Sequence, residues 1–269
     1  MIRDITIGQY YATDSVIHRL DPRVKVVGTL AYLISLFCFN KFSGYIIAAL
    51  FFAILVKISH VPFKFMVKGL KPIMFMLIFT AALNLFWTRG EVVLVKAWVF
   101  TITLEGVKRS VFMALRLTFL IIGSSLMTLT TTPNQLTDAL EKLLKPLNKI
   151  KVPVHEIAMM MSIALRFIPI LVDETDKIMK AQMARGADFE SGNVIQRIKA
   201  MLPILIPLFI SAARRANDLA LAMDARCYHG GEGRTKMKPL KYKKQDVIAY
   251  LTVAAYAVVL GVVVKFSVF

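Results

Sequence analysis

Predominantly apolar runs alternate along this chain with segments rich in lysine and arginine, and that alternation constrains the fold more than any other feature. The runs are Val24–Phe39, Tyr45–Val56, Ile73–Trp87, Val107–Leu129 and Val247–Val264. A helical membrane span needs about 20 mostly apolar residues. The first two runs are short, so they read as a hairpin of two short spans, and the others as single spans. The hydrophobic fraction is 57%, where soluble domains hold about 45–50%, and the mean hydropathy is +0.62. The expected fold is an all-α integral membrane protein with about five transmembrane helices, plus long cytoplasmic helices at the membrane surface.

The net charge of +17 would suggest nucleic acid in a soluble chain. Here the cations lie between apolar blocks, where topology and anionic lipid headgroups account for them, so the expected partner is the lipid membrane and not nucleic acid. With the N-terminus inside, the inner segments 1–25, 57–71 and 131–245 hold 27 Lys and Arg. The outer segments 40–44, 88–109 and 265–269 hold 6, and Arg116 lies within a span. This is the positive-inside pattern of a multi-pass plasma-membrane protein. No cleavable signal peptide is visible in the first 25 residues, which lack an apolar core.

Local signals punctuate the runs. Asp21-Pro22-Arg23 predicts an N-cap with proline in the first turn. Asn40–Gly44 reads as a tight turn. Residues 88–105 alternate with period 2 between Gly90 and Gly106, which predicts an extended extracellular hairpin. Thr131-Thr132-Pro133-Asn134 starts a helix ending near Leu144, with Glu141 and Lys145 spaced as an ion pair.

Two long helical arms follow, Val154–Arg185 and Asn193–Arg226. Each contains an apolar stretch, Ile157–Val172 and Ala200–Ala213, that a hydropathy plot could place in the membrane. Both contain proline, and both continue into charged helix with i,i+4 pairs at Asp173–Lys177, Asp176–Lys180 and Arg214–Asp218. Spanning by both would put the basic 173–199 segment outside, so the arms are read as lying along the inner surface. Each arm ends in a small-Arg-small triplet, Ala184-Arg185-Gly186 and Ala225-Arg226-Cys227. One arginine near a helix C-terminus merely offsets the dipole. The same triplet on both arms suggests more: small neighbours let the end enter a groove, and the guanidinium fork suits a carboxylate. Methionine is abundant, including Met159-Met160-Met161, and serves either to fill gaps in a bundle or to meet several unlike partners. A Gly-Gly-Glu-Gly linker at 230–233 and a basic run through Arg234, Lys236 and Lys238 lead to the last span.

Other constellations exclude functions. Gly230–Thr235 lacks the spacing and context of a phosphate-binding loop. No nucleophile–base–acid set presents itself, the four histidines lack metal-ligand spacing, and Cys38 and Cys227 imply no disulfide framework. No catalytic, cofactor-binding or metal residue is therefore assigned. Arg116 is an intramembrane charge and so a functional candidate by default. The plainer reading is a packing lock on a carbonyl or polar neighbour, favoured because no acidic residue lies within a span to build a relay.

Four segments, Thr131–Glu141, Ser162–Pro169, Gln182–Phe189 and Met223–Tyr228, closely resemble the transmembrane T component of energy-coupling factor (ECF) transporters. The similarity covers essentially the whole chain. The resemblance implies a membrane bundle with cytoplasmic coupling helices. The order of the runs divides the chain into 1–130 with four spans, 131–233 with the coupling helices, and 234–269 with the basic linker and last span. It implies two ABC-type ATPase partners, which bind ATP and Mg, and one of several vitamin-binding S components. It places Arg185 and Arg226 in grooves of the ATPases and makes this chain a non-catalytic subunit. A reading from another class is a self-sufficient secondary transporter or channel using Arg116 and the broken helices.

Overall fold

The computed structural model describes residues 10–88, 93–97, 100–189, 193–231, 237 and 239–266. Gly90, Trp98, Val99, Glu232, Gly233, Arg234, Lys236 and Lys238 therefore lie outside the described residues. The chain forms two compact units. Among the described residues, one comprises 10–139 with 240–266, and the other comprises those within 140–239.

The first unit is a helical membrane bundle. A short α1 (Val16–Arg19) leads to α2 (Pro22–Ser35), where Asp21 caps by accepting from the Arg23 N–H and Pro22 takes the first turn, as expected,. α3 (Phe42–Ser59) follows, then α4 (Phe63–Lys68), a 3₁₀ turn at Lys71–Ile73 and α5 (Met74–Trp87). The period-2 segment forms a two-stranded antiparallel hairpin, β1 (Val93–Ala97) and β2 (Phe100–Thr103), with Ala97 opposite Phe100. α6 (Leu104–Thr130) and α10 (Lys244–Phe266) complete the unit. α7 (Pro133–Leu144) opens with a box in which the Thr132 hydroxyl accepts from the Gln135 N–H and the Gln135 side chain accepts from the Thr132 N–H,.

Aromatic residues fill the core. Tyr32, Tyr45, Phe52 and Tyr256 are buried beside Ile122, Leu126 and Leu260, and Phe51 stacks on Tyr256 at 4.2 Å. Two glycines make this packing possible. A Cβ on Gly123 would lie 2.7 Å from the Tyr32 ring, and one on Gly44 would lie 2.4 Å from the Phe39 ring. Gly44, expected in a turn, is thus a packing glycine inside α3.

A polar knot ties the helix ends together. The Asp21 N–H donates to Asp246 at 2.8 Å, and Lys25 Nζ donates to the Thr130 carbonyl at 2.8 Å. Arg23 pairs with Asp21 at 2.8 Å and lies over the Tyr242 ring.

Five helical stretches among the described residues are long and apolar enough to cross a membrane: Phe42–Ser59, Phe63–Trp87, Leu104–Thr130, Val154–Ala184 and Lys244–Phe266. The number matches the expectation, but the membership does not. Pro22–Ser35 has 14 residues and falls short, whereas Val154–Ala184, expected along the surface, satisfies length and composition. The outer faces are apolar as lipid requires, with Phe75 81% and Trp87 83% exposed. The protein is an all-α, multi-pass integral membrane protein, with one two-stranded hairpin among the described residues.

The second unit is dominated by α8 (Val154–Ala184) and α9 (Val194–Asp224). A 3₁₀ segment at Lys145–Ile150 precedes α8, as Pro146 and Pro153 dictate,.

Candidate functional site

α8 and α9 form an antiparallel pair. Gln182 near the end of α8 reaches the Pro203 carbonyl near the start of α9 at 3.4 Å. Midway, Glu174 accepts from the Ser211 hydroxyl at 2.5 Å and from Arg215 at 2.8 Å. At the far end, Ser162 and Arg166 share a cavity with Leu219 and Met223. The expected local pairs Asp173–Lys177, Asp176–Lys180 and Arg214–Asp218 are not closed. Such exposed pairs are worth only about 0.3–0.5 kcal/mol, and the charge that matters here crosses between helices.

Proline shapes both arms. Pro169 lies inside α8, and Pro203 and Pro207 lie inside α9. Each lacks the N–H that would bond four residues back. Pro207 thereby frees the Pro203 carbonyl, the acceptor that Gln182 reaches.

The two arms end alike. At the end of α8 the Ala187 N–H donates to the Gln182 carbonyl, and the Gly186 N–H to the Met183 carbonyl, both at 3.0 Å. At the end of α9 the Tyr228 N–H donates to Met223 at 3.1 Å, and the Cys227 N–H to Asp224 at 2.9 Å. Both are Schellman caps, with a left-handed residue at the third triplet position: Gly186 at φ 87° and Cys227 at φ 54°,. The arginine occupies the equivalent cap position in each. All six triplet residues, Ala184 through Gly186 and Ala225 through Cys227, are exposed. Neither arginine has an ion pair with another described residue.

Because the pair is antiparallel, Arg185 and Arg226 are held at opposite ends. From Arg185 back to Ser162, beside the Arg226 cavity, is roughly 35 Å at about 1.5 Å per residue. Arg226 lines a cavity of about 610 Å³ with Arg166, Ser162 and His229. Sequence reasoning did not place Arg166 beside Arg226. Its polar interruption of an otherwise apolar run was the available signal. Arg116 belongs to the membrane bundle, where one Nη donates to the Phe39 carbonyl at 3.0 Å and to Asn40 Oδ1 at 2.6 Å.

Apolar helices of spanning length together with a pair of long, arginine-ended helices define a polytopic membrane protein. Residues 13–237 match the family described as CbiQ, cobalt transport protein. The chain is 59% identical over 252 residues, 93% of each chain, to the "Energy-coupling factor transporter transmembrane protein EcfT" of Clostridium kluyveri. It is 57% identical to the protein of that name from Ruminiclostridium cellulolyticum, over 92% of each chain. The Bacillus subtilis protein of the same name is 45% identical, over 97% of this chain and 98% of its own. The chain belongs to this family, the transmembrane EcfT components of energy-coupling factor transporters.

Proposed function

We propose that this chain is the coupling subunit of an ECF-type importer, transmitting motion from two ABC-type ATPase subunits to a vitamin-binding S component. The observation that carries this reading is the identical cap at both ends of one antiparallel pair, each presenting an exposed arginine. Arg185 and Arg226 dock in grooves of the two ATPases and pair with an acidic residue in each. ATP and Mg bind to those partners, and this chain supplies no catalytic group. The N-terminus and both arms face the cytoplasm, as the charge distribution favours. Closure of the ATPases moves the two ends, and the arms turn that motion into a tilt of the S component. The exposed apolar surface of the arms, including Met160, Ile206 and Phe209, receives it. Arg116 serves as a packing lock, its bonds to Phe39 and Asn40 supporting that role.

The test is Arg185→Ala/Arg226→Ala in the assembled complex. Removing one partner of a buried charge pair costs about 2–5 kcal/mol. The variant is expected to lose ATPase subunits on co-purification, or to hydrolyse ATP without uptake. Unchanged co-purification together with unchanged uptake overturns the docking role. Substrate flux through liposomes holding this chain alone would instead establish a self-sufficient transporter.

A further inference from the structure

A second charged cluster lies in the membrane bundle, apart from the helix ends discussed above. α6 carries Glu105, Lys108, Arg109, Phe112 and Arg116 on one face at helical spacing,. With Asn84 of α5 they line a cavity of about 550 Å³. Three cations face one carboxylate there. Lys108 and Arg109 are exposed and form no ion pair with another described residue. Arg116 is held in place by the Phe39 carbonyl and Asn40, while its Nε–H is buried and has no partner among the described residues. The cavity thus offers two free cationic side chains beside a third, anchored cation.

Its position points to the ligand. Trp87, 83% exposed at the end of α5, marks the level where amphipathic rings sit between tails and headgroups. Phe112 gives the cavity an apolar wall, and α6 continues beyond it as a span. Cations at headgroup level above an apolar wall match an amphipathic anion better than a free one. We propose that this cavity binds the phosphate of an anionic membrane lipid. Lys108 and Arg109 hold the phosphate oxygens, and the positive charge of the anchored Arg116 adds to the attraction.

The full chain, purified in mild detergent, is titrated with phosphatidylglycerol, phosphatidylcholine and inorganic phosphate, with binding read by native mass spectrometry and thermal unfolding. Phosphatidylglycerol is expected to bind about 25-fold tighter than phosphatidylcholine, since each of the two basic groups near an anionic lipid contributes roughly fivefold. Lys108→Ala/Arg109→Ala should erase that preference, and the charge-matched Lys142→Ala/Lys145→Ala should keep it. Arg116 is left intact so that its bond to α2–α3 persists. Equal binding of the two lipids overturns the proposal, as does a preference that survives in Lys108→Ala/Arg109→Ala. Competition by inorganic phosphate at the lipid's own concentration would mark a site for soluble anions instead.

Discussion

Glu174 and Arg215 pair at 2.8 Å, and each stands eleven positions before the arginine that ends its own helix, Arg185 or Arg226. The contact therefore sits midway between the two caps and, with Ser211, joins the arms where they meet. Both side chains are partly exposed, so its worth is modest, about 0.5–1 kcal/mol. A double-mutant cycle of Glu174→Gln and Arg215→Gln, read by thermal unfolding, should return a coupling energy of that size. Additive single effects would show that the arms are held by apolar packing alone.

Gly186 and Cys227 fill the same left-handed position at the two caps, but only glycine does so without strain. An L-residue there costs roughly 1–2 kcal/mol. Cys227→Gly is expected to raise the stability of the α9 end by about 1 kcal/mol. Gly186→Val should lower stability by more than 1 kcal/mol, although a Cβ at Gly186 would meet nothing within 4 Å. Hydrogen exchange at the Ala187 and Tyr228 amides reads both effects locally.

Gly231 approaches His155 closely. A Cβ there would lie 2.5 Å from His155 Cδ2 and 3.4 Å from its Cβ, so the ring cannot simply swing away. His155 is held by Glu141 at 2.9 Å. Gly231→Ala should loosen this corner by about 1–2 kcal/mol, read as roughly tenfold faster exchange in the first turn of α8. An unchanged exchange pattern would mean that the linker moves instead.

Asp21 gives the membrane bundle an acid dependence. Burial raises its carboxyl pKa, but the Arg23 guanidinium and the Arg23 backbone N–H outweigh burial and leave it below the ordinary value. A folded pKa below the unfolded one stabilises above the unfolded value, near 3.9. That stability is lost as pH falls through the lower folded value. Asp21→Asn keeps the cap and loses the ion pair, so it should flatten the acid limb of thermal stability below about pH 4. An acid limb identical to that of the parent chain would remove Asp21 from this account.

Much of this architecture is legible in the chain because local rules govern it. The Asp21-Pro22 and Thr132-Pro133 helix starts, the period-2 hairpin and the ends of the arms follow from side-chain chemistry within a few residues. What escaped depends on distance. Gly44 looks like a turn residue until the Phe39 ring is seen against it. Val154–Ala184 is as long and apolar as a span, and only its charged second half argues otherwise. At the candidate site, the twin triplets named Arg185 and Arg226, but nothing local pairs Glu174 with Arg215 or sets Arg166 beside Arg226. Those contacts exist because α9 runs back along α8, a fact of tertiary packing and not of spacing.

The reversal of α9 along α8 has a consequence for symmetry. Two antiparallel helices are related by a local dyad, and here it passes close to the Glu174–Arg215 contact. A sequence with no repeat beyond its terminal triplets thus displays two equivalent ends about one axis. A change in the angle between the arms displaces both ends equally and in opposite senses, as the blades of scissors move about their rivet. One chain can in this way answer a symmetric stroke applied at both ends.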